Sequence, residues 1–159
     1  MAELAPKPGE LLWDLGAGSG SISIEWARLS DMNSVIAFER DRQRLKNMEQ
    51  NICKFGLDDQ IEVILADLPD IPNKLRIPDA VFIGGGVSEK LLKKIWSLSK
   101  PNSRIVVNSV TLEAEQLLLK WKFLKGGSLT RINLSTADKI GEKMGWRSSM
   151  PILQWSIIK

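Results

Sequence analysis

The sequence predicts a doubly wound α/β fold, in which helices cover both faces of one mostly parallel sheet whose last strand is antiparallel. Short apolar runs typical of buried strands alternate with segments whose apolar residues recur at helical spacing. The first run ends in a turn that contains three glycines, and later runs end in Gly, Asp, Glu or Asn. Ligands of such sheets bind at the carboxyl ends of the strands, so these residues mark the predicted site.

The first unit is a strand over 11–15, whose leucines and tryptophan are typical of a central strand buried on both faces. A turn with glycine at 16, 18 and 20 follows, and then a helix over 21–29. Glycine permits the sharp turn and leaves no side chain between the loop and a ligand. The alternative interpretation is a plain tight turn.

The second unit is a strand over 34–38 and a helix over 42–54. We expect Asp41 to cap the amino end of this helix and Gly56 to end it. The helix carries the single cysteine, Cys53, which we expect to be a packed small residue and not a nucleophile, since no histidine is available to activate it.

The remaining predicted strands cover 61–65, 79–83, 104–107, 128–135 and 151–158. Ser88 is expected to cap a helix that ends at 97, and Thr111 a helix that ends at 124. The last two strands are predicted to form a hairpin, with 136–150 as the segment that connects them. The predicted sheet is expected to consist of five strand–helix units.

Composition narrows the function. The 159 residues suffice for one domain, 1–159, without a second core. The 22 basic and 19 acidic residues are spread along the chain, and no basic arm for nucleic acid is present. Because the chain lacks histidine and tyrosine, a histidine general base, a Ser-His-Asp triad and a histidine-ligated metal are excluded, and no metal site is predicted. Without an export signal or an apolar run long enough to span a bilayer, we expect a cytoplasmic protein with no membrane partner.

The glycine turn has the pattern D-x-G-x-G-x-G, with Asp14 two residues before the first glycine. A dinucleotide-binding turn needs G-x-G-x-x-G, and an acid here would repel a diphosphate and attract a ligand with ammonium or hydroxyl donors. Glu39 follows Gly16 by 23 residues, the spacing at which an acid on the second strand reaches a ribose. Asp67, after the third strand, could accept from an adenine amino group. The alternatives are a solvated charge cluster for Glu39 and a turn residue for Asp67.

This arrangement resembles motif I of the class I S-adenosylmethionine-dependent methyltransferases. The resemblance implies a Rossmann-like sheet and S-adenosyl-L-methionine as the cofactor, lying along the glycine loop. The predicted cofactor-binding residues are Asp14, Gly16, Ala17, Gly18, Ser19, Gly20, Glu39, Arg40, Ala66 and Asp67.

Four segments resemble a narrower family, the precorrin-6Y and precorrin-6B C-methyltransferases of cobalamin biosynthesis. They are Leu12-Trp-Asp-Leu-Gly-Ala-Gly-Ser-Gly-Ser, Phe82-Ile-Gly-Gly-Gly86, Asn108-Ser-Val-Thr-Leu-Glu113 and Gly145-Trp-Arg-Ser-Ser-Met-Pro151. The resemblance implies methylation at carbon 15 of a precorrin and decarboxylation of its ring C acetate. The family normally has a helical segment before the first strand, and we expect this sequence to lack it. Expected partners are the precorrin substrate, further copies in a homo-oligomer such as a tetramer, and a fused or paired second precorrin methyltransferase domain.

The residues predicted to serve the substrate follow the fourth and fifth strands. Gly84, Gly85 and Gly86 leave room for a flat macrocycle, with a tight turn as the alternative; Gly85 and Gly86 are placed at the reacting centre. The amide of Asn108 could donate to a substrate carboxylate, or Asn108 could form a turn with its own backbone. We expect Arg131 and Arg147 to bind the carboxylates of the precorrin, although an arginine at either position could also be a solvated surface residue.

Two other functions stay open. A methyltransferase that acts on RNA would carry an Asn/Asp-Pro-Pro-aromatic motif after the fourth strand, and this chain has Ile83-Gly-Gly-Gly there, which argues against it. A methyltransferase for another small molecule, or a non-catalytic domain that binds S-adenosylmethionine, fits the same glycine loop.

Overall fold

The structure is a computed structural model that describes residues 1–72 and 74–159. In this part of the chain the strands are β1 (Leu11–Leu15), β2 (Ser34–Glu39), β3 (Ile61–Leu65), β4 (Ala80–Ile83), β5 (Arg104–Ser109), β6 (Ser128–Ile132), β7 (Ser135–Ile140), β8 (Lys143–Ser148) and β9 (Ile152–Ile158). The α-helices are α1 (Ser21–Ala27), α2 (Arg42–Phe55), α3 (Glu89–Leu98) and α4 (Leu112–Lys125). None of these helices has the length and apolar character that a membrane crossing requires.

Seven strands form the main sheet, in the order β3-β2-β1-β4-β5-β9-β6. The pairs among β1 to β5 are parallel, and β9 runs antiparallel to both β5 and β6. The predicted fold class, a mostly parallel sheet with an antiparallel last strand, is therefore confirmed. The strand order reverses between β1 and β4, so the carboxyl ends of these two strands border the crevice in which such sheets bind ligands.

Each face of the sheet packs against its own pair of helices. On one face Trp13 and Phe38 pack with residues of α3 and α4; on the other Leu12 packs with Trp26 of α1 and Met48 of α2. All five residues of β1 are buried, as expected for the centre of a doubly wound sheet. The loops at the carboxyl ends of the strands thus stand on a rigid support.

The helix boundaries follow from the predicted caps. Asp41 Oδ1 accepts a hydrogen bond from Arg44 N at 2.8 Å, and Gly56 ends α2 in the left-handed conformation. Ser88 and Thr111 likewise accept from backbone N–H groups in the first turns of α3 and α4. These cap predictions are confirmed.

The structure corrects the sequence interpretation in the connections. In the described residues, the segment between β3 and β4 contains no helix, so the prediction of five strand–helix units was wrong. The segment 136–150, predicted as a plain connection, contains most of a separate antiparallel hairpin, β7–β8, whose two-residue turn holds Gly141 at φ +60°. Cys53, predicted to be packed, is exposed, because it lies on the outer side of α2.

Candidate active site

The glycine loop after β1 packs directly against the glycine loop after β4. A Cβ atom on Gly16, whose φ is +73°, would stand 3.0 Å from both the N and the O of Gly85. A Cβ atom on Gly20 would come within 2.6 Å of the Met48 side chain. A side chain at either position would require its neighbour to move, and the atoms nearest to a Cβ on Gly16 are those of the Gly85 backbone.

A first cleft of about 350 Å³ opens at the carboxyl ends of β1 to β4. Five of the predicted cofactor-binding residues line it, namely Gly16, Glu39, Arg40, Ala66 and Asp67. The other predicted residues, Asp14 and 17–20, belong to the end of β1 and to the glycine loop beside the cleft. The structure therefore brings the residues that sequence singled out into one place.

Asp14 is a buried carboxylate with an unsatisfied oxygen. Ser23 Oγ donates to its Oδ2 at 2.6 Å, while Oδ1 has no partner in the described part of the chain. Burial raises the pKa of Asp14 to about 6, and the charge of Glu39 adds to this, although the bonds from Ser23 oppose it. A buried acceptor without a donor is costly, and a ligand ammonium group would satisfy it.

Glu39 ties the glycine loop to the end of β2. Its Oε2 accepts from Gly18 N at 2.9 Å, and its Oε1 accepts from the N–H groups of Arg40 and Asp41, both at 3.0 Å. The side chain is buried, so the interpretation of Glu39 as part of a solvated charge cluster was wrong. A carboxylate offers about four acceptor positions, which leaves Oε2 free to accept from one ligand hydroxyl.

Asp67 and Arg40 stand at the mouth of the first cleft. Both side chains are exposed, and Arg40 Nη1 lies 3.7 Å from Asp67 Oδ1. A backbone turn also begins at Asp67, whose carbonyl accepts from Asp70 N, as the turn interpretation expects. Lys94 of α3 secures this loop by donating to the carbonyls of Pro69 and Ile71 at 3.0 and 3.1 Å, a role that no local sequence signal indicates.

A second cleft of about 420 Å³ lies on the other side of the loop after β4, bounded by the end of β5 and the start of α4. The two clefts share the segment 84–87, which we call the shared wall. A Cβ atom on Gly85 would meet open space, whereas one on Gly84 would lie 3.0 Å from the Phe82 ring; Gly86 has φ +69°. The positive φ of the turn therefore explains the glycine at position 86. At position 85 the absence of a side chain leaves the space beside the backbone open.

Asn108 faces the second cleft from within β5. Gln154 Nε2, on β9, donates to Asn108 Oδ1 at 2.8 Å, and the two residues are direct partners across the antiparallel pair. Asn108 thus sits in a strand, and the interpretation as a turn-forming Asn was wrong. Sequence reasoning missed Gln154, because its neighbour is set by the pairing of strands 46 residues apart.

The two candidate arginines occupy different surroundings. Arg131, on β6, forms an ion pair with Glu115 and lines a small cleft of about 180 Å³ that shares residues 109–111 with the second cleft. Arg147 lies exposed on β8, where its Nη1 is 3.3 Å from Asp138 Oδ2 within the same hairpin. The structure thus brings Arg131, but not Arg147, to the border of the second cleft.

Strand order and the paired clefts around the β1/β4 switch point define this chain as a class I methyltransferase fold. The chain belongs to the precorrin methyltransferase domain family, whose model matches residues 1–159.

The comparisons agree on the same family. The chain is 39% identical over 160 residues to the precorrin-6Y C(5,15)-methyltransferase [decarboxylating] of a Sinorhizobium species, and 37% identical to the protein of that name from Mycobacterium tuberculosis. Both alignments cover the whole of this chain. They cover only 38% and 40% of the two relatives, so the chain spans about two fifths of their length. The crystal structure of the C-terminal domain of precorrin-6Y C5,15-methyltransferase from Rhodobacter capsulatus superposes with a TM-score of 0.94 at 42% identity, covering 99% of this chain and 85% of that one.

Proposed function

We propose that the chain binds S-adenosyl-L-methionine in the first cleft and methylates a precorrin of the precorrin-6B type in the second. Methylation takes place at carbon 15 in this proposal, and the ring C acetate is decarboxylated, as part of cobalamin biosynthesis. The shared wall is the observation that carries the proposal, because it places two separate clefts on opposite sides of one backbone segment. The relatives from Sinorhizobium and Mycobacterium tuberculosis are named as decarboxylating C(5,15)-methyltransferases of precorrin-6Y, which supports the proposal.

The residues of the first cleft fit the cofactor group by group. In the cleft, the free position on Glu39 Oε2 suits a ribose hydroxyl, and Asp67 lies where it could accept from the adenine amino group. Asp14 does not line the cleft but is buried near the end of β1 beside the glycine loop, and its unpartnered Oδ1 suits the ammonium group of the cofactor. When bound, the cofactor supplies an electrophilic methyl group on a sulfonium centre. The chain's contribution is to hold this group in a fixed place beside the shared wall.

The second cleft suits a methyl acceptor whose reaction depends on its orientation and not on proton transfer to a side chain of the protein. A meso carbon between electron-rich rings is nucleophilic without a general base, so holding it close to the methyl group can supply most of the acceleration. In the decarboxylation, the bond between the acetate methylene and its carboxyl carbon breaks and carbon dioxide leaves. The electron pair passes to a protonated, conjugated ring nitrogen, and the methylene then takes up a proton to become a methyl group.

The walls of the second cleft support both steps. Val87, Ala114 and Leu117 give it an apolar lining, which disfavours a charged acetate in the ground state. Asn108 donates to a substrate carboxylate in this proposal, and Arg131, at the border of the cleft, binds a peripheral carboxylate. Arg147 lies outside the cleft on the β7–β8 hairpin, so in this proposal it binds a carboxylate that extends beyond the cleft. Gly85 leaves the reacting centre open, since nothing lies within 4 Å of the position its Cβ would take.

The direct experiment is incubation of the protein with precorrin-6B and S-adenosylmethionine, followed by mass analysis of the product. We expect the gain of one methyl group and the loss of carbon dioxide. Calorimetric titration with S-adenosylhomocysteine tests the cofactor site separately. Binding without turnover would support the non-catalytic alternative, and the absence of both would contradict the proposal.

We further propose that the chain forms a homo-oligomer through the β7–β8 hairpin. A two-stranded sheet alone is marginally stable in water, yet Met144 and Trp146 on one face of β8 are 64% and 76% exposed. A second copy of the same hairpin would cover these side chains. Since the chain spans two fifths of its relatives, the alternative is that a second methyltransferase domain covers these side chains. A measured mass equal to that of one copy would favour this alternative.

A further inference from the structure

We propose that Gln154 is a positioning residue, which fixes the amide of Asn108 so that its two N–H groups face the second cleft and select an anionic substrate group. The inference rests on the proposed function, which places the substrate in that cleft. It begins from the register of the sheet, because Asn108 and Gln154 stand directly opposite each other on β5 and β9. Side chains of such a pair lie on the same face of the sheet and within reach of each other.

The hydrogen bond between the two amides settles which end of Asn108 points to the cleft. Gln154 Nε2 donates to Asn108 Oδ1 at 2.8 Å, so the oxygen of Asn108 is turned toward β9. Its Nδ2 then retains both donors, and neither has a partner in the described part of the chain. Asn108 is half-buried and lines the second cleft, so these N–H groups are accessible to a ligand.

The orientation matters because the two ends of an amide are chemically opposite. Two N–H donors attract a carboxylate or a carbonyl oxygen, whereas the amide oxygen in the same place would repel it. An asparagine without a fixed neighbour can turn by half a rotation and offer either end. Gln154 removes this choice, and β9 holds Gln154 firmly because it pairs with a strand on each side, β5 and β6.

Two substitutions separate orientation from simple loss of a contact. Gln154→Glu places an acceptor opposite Asn108, so the asparagine must turn its NH₂ group toward β9 and present its oxygen to the cleft. Gln154→Met keeps the length of the side chain but leaves the amide free to turn. If both orientations are then about equally populated, the competent fraction is halved, and the apparent affinity falls about twofold.

The experiment measures KM and kcat for precorrin-6B, the affinity for S-adenosylhomocysteine and the melting temperature of each variant. We expect the KM to rise roughly tenfold or more in Gln154→Glu, corresponding to one lost hydrogen bond to a charged group, and about twofold in Gln154→Met. Cofactor affinity should stay unchanged. Thr130→Val is the matched control. Thr130 is the partner of Gln154 on β6, so its side chain lies on the same face of the sheet, but it does not take part in the hydrogen bond between the two amides.

The test depends on which of the two variants, Gln154→Glu or Gln154→Met, raises the KM more. A merely structural hydrogen bond would make Gln154→Met at least as harmful as Gln154→Glu and would lower the melting temperature first. Asn108→Ala completes a double-mutant cycle, since Gln154→Glu should add little once the amide of Asn108 is gone. An equal loss in both backgrounds would mean that the new carboxylate repels the substrate directly, and would overturn the inference.

The same data distinguish failure of the inference from failure of the proposed function. A wild-type protein that converts precorrin-6B, with Gln154→Glu as active as wild type, would overturn the role of Gln154 alone. A wild-type protein that leaves precorrin-6B unchanged would overturn the proposed function and this inference together.

Discussion

At the scale of single residues, the buried carboxylate of Asp14, which we propose binds the cofactor, lowers the free energy of unfolding when it is ionised. Its pKa is raised by burial from 3.8 to about 6, so the folded protein binds a proton here more tightly than the unfolded chain does. Stability therefore falls as the pH rises from about 4 to about 6, and above pH 6 the cost of the ionised, buried carboxylate is fully present. At 1.36 kcal/mol per pH unit this cost is up to about 3 kcal/mol.

We expect Asp14→Asn to flatten this part of the stability curve. Thermal unfolding of the wild type and the variant between pH 4 and pH 7 gives the comparison, and Asp31→Asn, at an exposed position, is the control. The same variant should bind S-adenosylhomocysteine more weakly, because an ammonium group loses its charged partner. An unchanged slope in Asp14→Asn would show that this carboxylate is not the group that titrates.

Glu39 illustrates a residue whose binding role and structural role overlap. Glu39→Ala should weaken cofactor binding by on the order of 2–3 kcal/mol through the loss of a charge-assisted pair of hydrogen bonds. It should also lower the melting temperature, because the N–H groups of Gly18, Arg40 and Asp41 lose their acceptor. Calorimetric titration well below the unfolding temperature separates the effects, with exposed Glu62→Ala as control. Normal affinity in a folded Glu39→Ala protein would remove Glu39 from the site.

At the scale of elements, one alanine substitution in each of the two glycine loops tests the different roles of the loops. Gly16→Ala should destabilise the protein by about 1–3 kcal/mol, because its φ is positive and its Cβ would stand 3.0 Å from the Gly85 backbone. Gly85→Ala should change stability by less than about 0.5 kcal/mol, since its Cβ meets open space, yet it should lower turnover, because the added methyl group would occupy space that the proposal assigns to the reacting centre. Melting temperatures and turnover of both variants provide the measurement. Full activity in Gly85→Ala would contradict the role given to the shared wall.

The sequence was informative where local chemistry decides the structure. The apolar run 11–15, the glycine loop after it and the caps Asp41, Ser88 and Thr111 depend on neighbours close in the chain, and each was predictable. The Gln154–Asn108 contact depends on the register of β5 against β9, which local spacing does not encode. The β7–β8 hairpin was not predictable from the sequence, because its strands are short, largely polar and exposed. Without a buried face, the strands show no clear alternation of apolar and polar residues.

At the scale of the whole molecule, the exposed hairpin predicts how copies associate. Trp146→Lys should shift the protein toward the monomer, because a charge would be buried where an indole now offers apolar area. Sedimentation equilibrium at several concentrations measures the mass. Phe123→Lys, at an 87% exposed aromatic position on α4, is the matched control and should leave the mass unchanged. A Trp146→Lys protein with the wild-type mass would exclude the hairpin as the contact.

The shared wall also divides the residues that line the two clefts into two separate stretches of the chain. Apart from that wall and the following Ser88, the first cleft takes its lining from residues 16–68, and the second takes its own from 108–117. Mutations within 108–117 can therefore reshape the acceptor side without changing any residue that lines the donor side. A chimera that joins residues 1–87 of this chain to the second half of a methyltransferase with another acceptor should thus keep its cofactor affinity and take its acceptor preference from the new half.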